Sequence, residues 1–285
     1  MRNFIKMIGL ITLIVFSFFY TDKVIEVIRE EDDIMVELQS VKDIYKVEPI
    51  DANIVSNTII PGLNGRSINI EQSYKKMKYN GIFEKNLLIY DTISPDISIR
   101  TNKDKFIIRG HNNKQMVSLL FILNNDKYLN YIEKILSSKG VFVNYFISYK
   151  YLIDNSTKIK EMTGHEFYSY GDDGKYTPDN LLFSNNLISR ISNNNAVYCL
   201  AQDMQTEILE LCSKNDLYTI TPTIIGGEKA YNAIKENLDS GSIILLTMNS
   251  ETVKELTTII DYIKGKGLKI SPLSLLLSEE LQIDE

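Results

Sequence analysis

Apolar and polar positions change rhythm three times along this chain. The first 20 residues, MRNFIKMIGLITLIVFSFFY, are apolar almost without a break from position 7 to position 20, with Arg2 and Lys6 ahead of or inside the run. Residues 21–45 space their apolar positions (Val24, Val27, Ile28, Ile34, Val36, Leu38, Val41) among charges, as an amphipathic helix or a stalk does. Periodicity then fades over 46–85, where Pro61-Gly62 and Asn64-Gly65 mark turns and one short helix is expected near 70–77. Strand patterns follow in LLIYDTISP, DISIRTN and KFIIRG.

From Met116 onward strands and helices alternate. VSLLFIL (117–123) predicts a buried strand, 127–138 a helix, VFVNYFI (141–147) a strand and 149–160 a helix. A polar, Asn-rich stretch over 171–196 reads as a surface connection with a short helix. AVYCLA (196–201), a helix over 206–215, LYTITPTI (217–224) and a helix over 229–238 resume the alternation. The run GSIILLTMNSETVKELTTIIDYIKGKGLKISPLSLLL (241–277) closes it with strand, helix, turn, short strand and a last apolar turn. Continuous apolar strands alternating with helices imply an α/β domain with a parallel sheet or barrel.

The opening run suits a secretory signal or an uncleaved signal-anchor. Its strict apolar part is shorter than the ~20 residues of a comfortable span, but Lys6 can snorkel to the interface. No small-x-small cleavage site follows Tyr20, so an anchor is expected, with the N-terminus cytoplasmic and the body extracellular. Formal net charge is -6 with a pI near 5.2, which argues against a nucleic-acid partner. Removing residues 1–20 takes away two cations and no acid, leaving a body still more acidic. There is no Trp but there are 17 Tyr, so any sugar-stacking surface must use Tyr or Phe. The two cysteines, Cys199 and Cys212, form either a disulfide or, as the favoured expectation, two buried free thiols; their spacing suggests no metal site.

Four segments resemble the polysaccharide deacetylase (NodB-homology, carbohydrate esterase family 4-like) domain: VSLLF (117–121), ILSSKGVFVNYFI (135–147), MTGHEFYSYG (162–171) and the closing unit 241–277. The resemblance covers roughly 105–280. It implies a distorted β/α, TIM-like barrel. The expected organisation is then 1–20 signal-anchor, 21–104 stalk and β-rich arm, 105–285 deacetylase-like domain. The resemblance also implies a divalent metal that polarises an acetamido carbonyl and activates water. The positions matching the family's two strand-end aspartates are Ile122 and Leu123. Those matching its paired histidines are Tyr170 and Gly174, and the late catalytic histidine is Thr247. The Arg- and Pro-containing loop is replaced by NNAVYCLAQD. Neither a catalytic residue nor a metal or cofactor ligand is therefore assigned.

Polar groups left near the expected cleft are Asp126, His165, Tyr170, Asp172, Asp173, Tyr198 and Asn249. Asp126 also suits a helix-capping turn, Asp172 and Asp173 a solvated GDDG turn, and His165 a core histidine. Tyr168 and Tyr170 share one strand face by period two, and Tyr198 is expected near the same mouth. Three functions fit. One is a membrane-anchored, catalytically inactive member of the family, binding a wall or surface glycan or an envelope protein through the old cleft and the arm. Another is an active zinc-type deacetylase of N-acetylated glycan, its site rebuilt from Asp126, His165, Asp172 or Asp173. The third is a structural or regulatory subunit of an envelope complex.

Overall fold

The computed structural model describes residues 7, 11–17, 20, 29, 31–192 and 194–281. The expected anchor over 1–20 lies largely outside the described residues; its described stretch 11–17 is helical. Among the described residues no helix is long and apolar enough to cross a membrane.

The chain forms two compact units, one from residues 1–49 and 64–93, the other from 50–63 and 94–285. In chain order, β1 (Asn53–Val55) and β2 (Thr58–Ile60) fall in the larger unit, β3 (Gly65–Ile68) and β4 (Tyr90–Ile93) in the smaller. In the smaller unit β3 pairs antiparallel with β4. The helices Asp33–Val41 and Ile70–Lys78 bury Ile34, Leu38 and Met77 with Ile68 and Leu88. Both helices are started by side chains, Asp32 accepting from the Ile34 amide and Asn69 from the Gln72 amide. The arm expected over 21–104 is thus divided between the units. DISIRTN forms turns where a strand was expected, because Glu279 grips it, accepting from the Ile99 amide at 3.0 Å and from the Ser98 hydroxyl.

The larger unit continues with β5 (Phe106–Ile107), β6 (Met116–Leu123), β7 (Asn144–Ile147), β8 (Glu166–Ser169), β9 (Tyr198–Leu200), β10 (Tyr218–Ile220), β11 (Ile224–Gly226), β12 (Ile243–Leu246) and β13 (Lys269–Ile270). These make two sheets, ordered β1-β2-β5-β10-β9 and β11-β12-β6-β7-β8, with β13 on β6. Every pairing except β1–β2 is parallel. Helices cover the strands, so β6, β7 and β12 are almost wholly buried; their polar members, Ser118 and Asn144, bond Ser271 O and Leu119 O.

The one strand expected over 217–224 is two, β10 and β11, in different sheets. Thr221 donates to Ile107 O in the first sheet and Thr223 to Ile243 O in the second. Pro222 stands between them with no amide to pair, which makes it a natural crossing point. The expected barrel therefore stands as two sheets, parallel apart from the β1–β2 pair. Along the seam between β8 and β9 two side chains replace a ladder. The Tyr176 hydroxyl donates to Ser169 O and accepts from the Leu200 amide, both at 3.0 Å. The Asn194 amide accepts from Phe167 N at 3.1 Å and donates to Phe167 O at 2.8 Å, standing in for a strand residue.

Other elements refine the expectation. The helix over 149–160 is broken at Asn155 into Tyr149–Asp154 and Ser156–Glu161. The polar stretch carries a full helix, Pro178–Ile191, started by Pro178 and a reciprocal Thr177–Asn180 capping box. The closing unit is as expected: the helix Ser250–Gly265, β13 and the turn Leu273–Leu277, with Leu273, Leu276 and Leu277 buried. Cys199 and Cys212 are not free thiols; they are joined in a disulfide, Cα atoms 6.5 Å apart. The helix Thr206–Lys214 turns its Ile208, Leu209 and Cys212 face inward against Phe106 and Cys199, which brings the sulfurs together.

Candidate functional site

Five positions matched to the deacetylase motifs collect at one end of one sheet. Ile122 and Leu123 end β6, Tyr170 follows β8 directly, Gly174 lies in the loop after it, and Thr247 follows β12. This is the C-terminal edge of parallel strands, where α/β folds place their chemistry. What stands there is hydrocarbon, one phenol and one threonine hydroxyl. Leu123 is buried and Ile122 half-buried. Tyr170 is nearly buried; its hydroxyl accepts from Gln202 Nε2 at 2.6 Å. Burial pushes the Tyr170 phenol above its ordinary range; the Gln202 bond opposes this, and Asp173 and Asp203 add to it. The phenol stays protonated at neutral pH.

The Tyr170 ring occupies the space beside Gly174. A Cβ built on Gly174 would lie 3.1 Å from the Tyr170 hydroxyl, and Gly174 has φ +90°. Thr247 is exposed, its hydroxyl donating to Gly226 O at 3.2 Å. Such a set does not fit a divalent cation: Ile and Leu have no donor atom, Gly offers only backbone, and a neutral phenol is a poor ligand beside carboxylate or imidazole. Among the described residues no three His, Cys, Asp or Glu side chains converge to hold a metal ion.

The remaining candidates are placed as follows. Asp126 turns toward helix side chains, accepting from the Tyr151 hydroxyl and pairing with Lys158 at 2.8 Å. The Lys158 bond leads in holding its carboxyl below the usual range. Asp172 makes backbone bonds with Lys175 at 2.9 and 3.1 Å and is exposed. Asp173, at φ +47°, accepts from Asn124 Nδ2 at 3.4 Å. Asn249 is the N-cap of the closing helix, accepting from the Thr252 amide at 2.7 Å. His165 precedes β8 and so lies at the other end of the strand from Tyr170. Its Nδ1 accepts from the Val143 amide at 3.1 Å and its Nε2 meets Glu133 at 3.2 Å.

Tyr198 opens β9 and points inside the unit, edge-on to Tyr168 at 5.2 Å; it does not reach the C-terminal edge. The reason is strand polarity, since the first residue of a parallel strand lies at the end opposite the site. The rebuilt metal site of Asp126, His165 and Asp172 is therefore not brought together. The residue the sequence reading passed over is Gln202, a polar group directly after an apolar strand, which fixes Tyr170.

Comparison with solved structures shows what this arrangement resembles. No family model matches the chain. The Bacillus anthracis protein BA3943, described as a CE4 family pseudoenzyme, aligns with a TM-score of 0.65 at 23% identity, covering 88% of this chain and 97% of that one. The fold is that of the family 4 carbohydrate esterases. Bacillus subtilis PdaA, a family 4 carbohydrate esterase, shares the deacetylase fold with a TM-score of 0.52 at 16% identity over 60% of this chain and 84% of its own. A mutant of BA3943 described as having restored enzymatic activity aligns as its parent does, with a TM-score of 0.65. In sequence, the Bacillus subtilis (strain 168) protein YlxY, uncharacterized, is 25% identical over 276 residues, 90% of this chain and 86% of that protein.

Proposed function

We propose that this protein is a membrane-anchored, extracellular relative of the polysaccharide deacetylases that has no deacetylase activity and binds a cell-wall or surface glycan. The observation that carries the inactive reading is the Tyr170 ring beside Gly174, at the two positions that match the family's paired histidines. Deacetylation needs a Lewis acid, a base for the attacking water and an acid for the leaving amine. Ile122, Leu123, Tyr170, Gly174 and Thr247 supply none of these at neutral pH. The alignment with a protein described as a pseudoenzyme supports the same reading.

The seam-bridging bonds of Tyr176 and Asn194 support treating the two sheets as one distorted β/α barrel. The Cys199–Cys212 disulfide supports an oxidising compartment, hence a body outside the cytoplasm behind the apolar N-terminal segment. Net acidity favours a neutral or cationic glycan over an anionic polymer.

The test is elemental analysis of the purified protein after dialysis against trace zinc, cobalt and nickel, with an assay for acetate release from N-acetylated oligosaccharides. The expected result is no stoichiometric metal, no acetate and measurable co-sedimentation with purified peptidoglycan. One tightly held ion per chain together with acetate release overturns the inactive reading. Absence of any glycan binding overturns the binding reading and turns attention to an envelope protein partner.

A further inference from the structure

We propose that the glycan is held at the opposite end of the strands, with a sugar ring laid on the exposed face of Phe142; this rests on the glycan-binding reading and assigns it a place. Phe142 leads into β7 and is 51% exposed. It borders a cavity of about 500 Å³ together with Ser137, Lys158, Glu161, Thr163 and His165. Cavities that hold small ligands run roughly 300–1,000 Å³.

A single exposed aromatic needs no explanation by itself. This one is fixed from beneath. Gly164 has φ +88°, and a Cβ there would fall 2.2 Å from the Phe142 ring, so the ring lies directly on the glycine backbone. The His165 ring meets it edge-on at 5.8 Å and 71°. His165 is itself immobilised by the Val143 amide and Glu133, and Glu133 also accepts from the Tyr145 hydroxyl. The ring is thus buttressed on one side, which lessens the rotamer freedom it loses on binding.

The rim chemistry selects the occupant. Ser137 and Thr163 supply hydroxyls and Glu161 an exposed carboxylate. Lys158, the one lysine among the described lining residues, is paired with Asp126 at 2.8 Å, so the rim offers an anionic polymer no unpaired cation there. A pyranose has one face of C–H groups for the ring and equatorial hydroxyls or amides for such a rim. An uncharged N-acetylhexosamine oligomer matches both halves.

The test uses the full chain in detergent and the β-1,4-linked tetramer of N-acetylglucosamine, with affinity measured by titration calorimetry. Phe142→Ala is expected to weaken binding tenfold or more. Tyr131→Ala, which removes a still more exposed aromatic (63%) from the neighbouring helix Leu129–Lys139, is expected to stay within twofold. Wild-type affinity in Phe142→Ala overturns this site and leaves the glycan-binding reading standing. Equal losses in both variants also overturn it, since the effect then belongs to surface aromatics in general. If the wild-type chain binds neither the tetramer nor sedimented peptidoglycan, the glycan reading falls and this site with it. Circular dichroism of Phe142→Ala is expected to match wild type, because the ring is exposed.

Discussion

Replacing Tyr176 by Phe deletes one oxygen and tests how the two sheets are joined. The hydroxyl serves two backbone groups, Ser169 O and the Leu200 amide, each 3.0 Å away. Burial holds the phenol far above its ordinary pKa, so it remains a neutral donor and acceptor throughout the accessible pH range. Without it, both backbone groups face a seam that has no ladder to take them. A buried polar group left unpaired costs about 1–3 kcal/mol, so the two together cost roughly 2–4 kcal/mol after partial relaxation. The ring itself stays, so no cavity adds to the loss. With a urea slope of about 3 kcal/mol/M, the upper end of the small-protein range as suits a chain of this size, the unfolding midpoint is expected to fall by roughly 1 M at unchanged slope. Urea titration followed by circular dichroism reads this directly. A midpoint within about 0.2 M of wild type refutes the bridging role, because it means that water replaces the hydroxyl at no cost.

Other consequences are checked separately. Removing the disulfide with Cys199→Ala and Cys212→Ala together is expected to lower stability by about 3 kcal/mol, since it frees a loop with a sequence separation of 13 residues; thermal melts with and without reductant check it. Lys114, pushed down to about 8 by burial, donates to Leu275 O at 2.7 Å and to Ser278. Its folded pKa lies below the unfolded value of about 10.4, so the unfolded chain holds more protons between the two. Stability is therefore expected to rise with pH from about 8 to about 10.4 relative to Lys114→Met, and a flat difference across that window contradicts the assignment. Thr247→His alone is expected to release no acetate from N-acetylated oligosaccharides, because the positions at Ile122, Leu123, Tyr170 and Gly174 remain without ligands; release above background would mean that the end of β6 has been matched wrongly.

The order of strands and helices was legible because each strand is a continuous apolar run and each helix repeats its apolar face. What escaped was set by single polar side chains acting across the fold. Nothing in the local pattern around Tyr176 or Asn194 marks them as substitutes for a strand ladder, since their partners lie on other elements. The break of LYTITPTI into two sheets was hidden inside an even β pattern, although Pro222 was its one visible signal. The helix Pro178–Ile191 was announced by Thr177, Pro178 and Asn180, a cap pattern masked by the Asn-rich composition around it. The cysteine pair was undecidable by spacing; it depended on which face of the helix Thr206–Lys214 turned inward. At the candidate site the residue types at the matched positions could be read one by one. The packing of a phenol against those positions could not, because it needed the approach of Tyr170 to Gly174.

That approach opposes a histidine at either position introduced alone. A histidine at position 174 would start from a Cβ 3.1 Å from the Tyr170 hydroxyl, on a backbone with φ +90°. The contact requires the phenol to give by a few tenths of an ångström, which strains its 2.6 Å bond from Gln202, and the left-handed backbone penalises any side chain. Strain of this kind costs about 1–3 kcal/mol. Gly174→His is therefore expected to lower stability by that amount without gaining metal. Tyr170→His alone, which vacates the ring's volume, leaves a partly filled cavity and one unaided imidazole. Combining the two is expected to cost less than the sum of the singles, because removing the phenol relieves the contact that the new side chain makes. A double-mutant cycle by urea unfolding measures that coupling, and additivity within about 0.3–0.5 kcal/mol would show that Tyr170 and Gly174 are neighbours without being a packed pair.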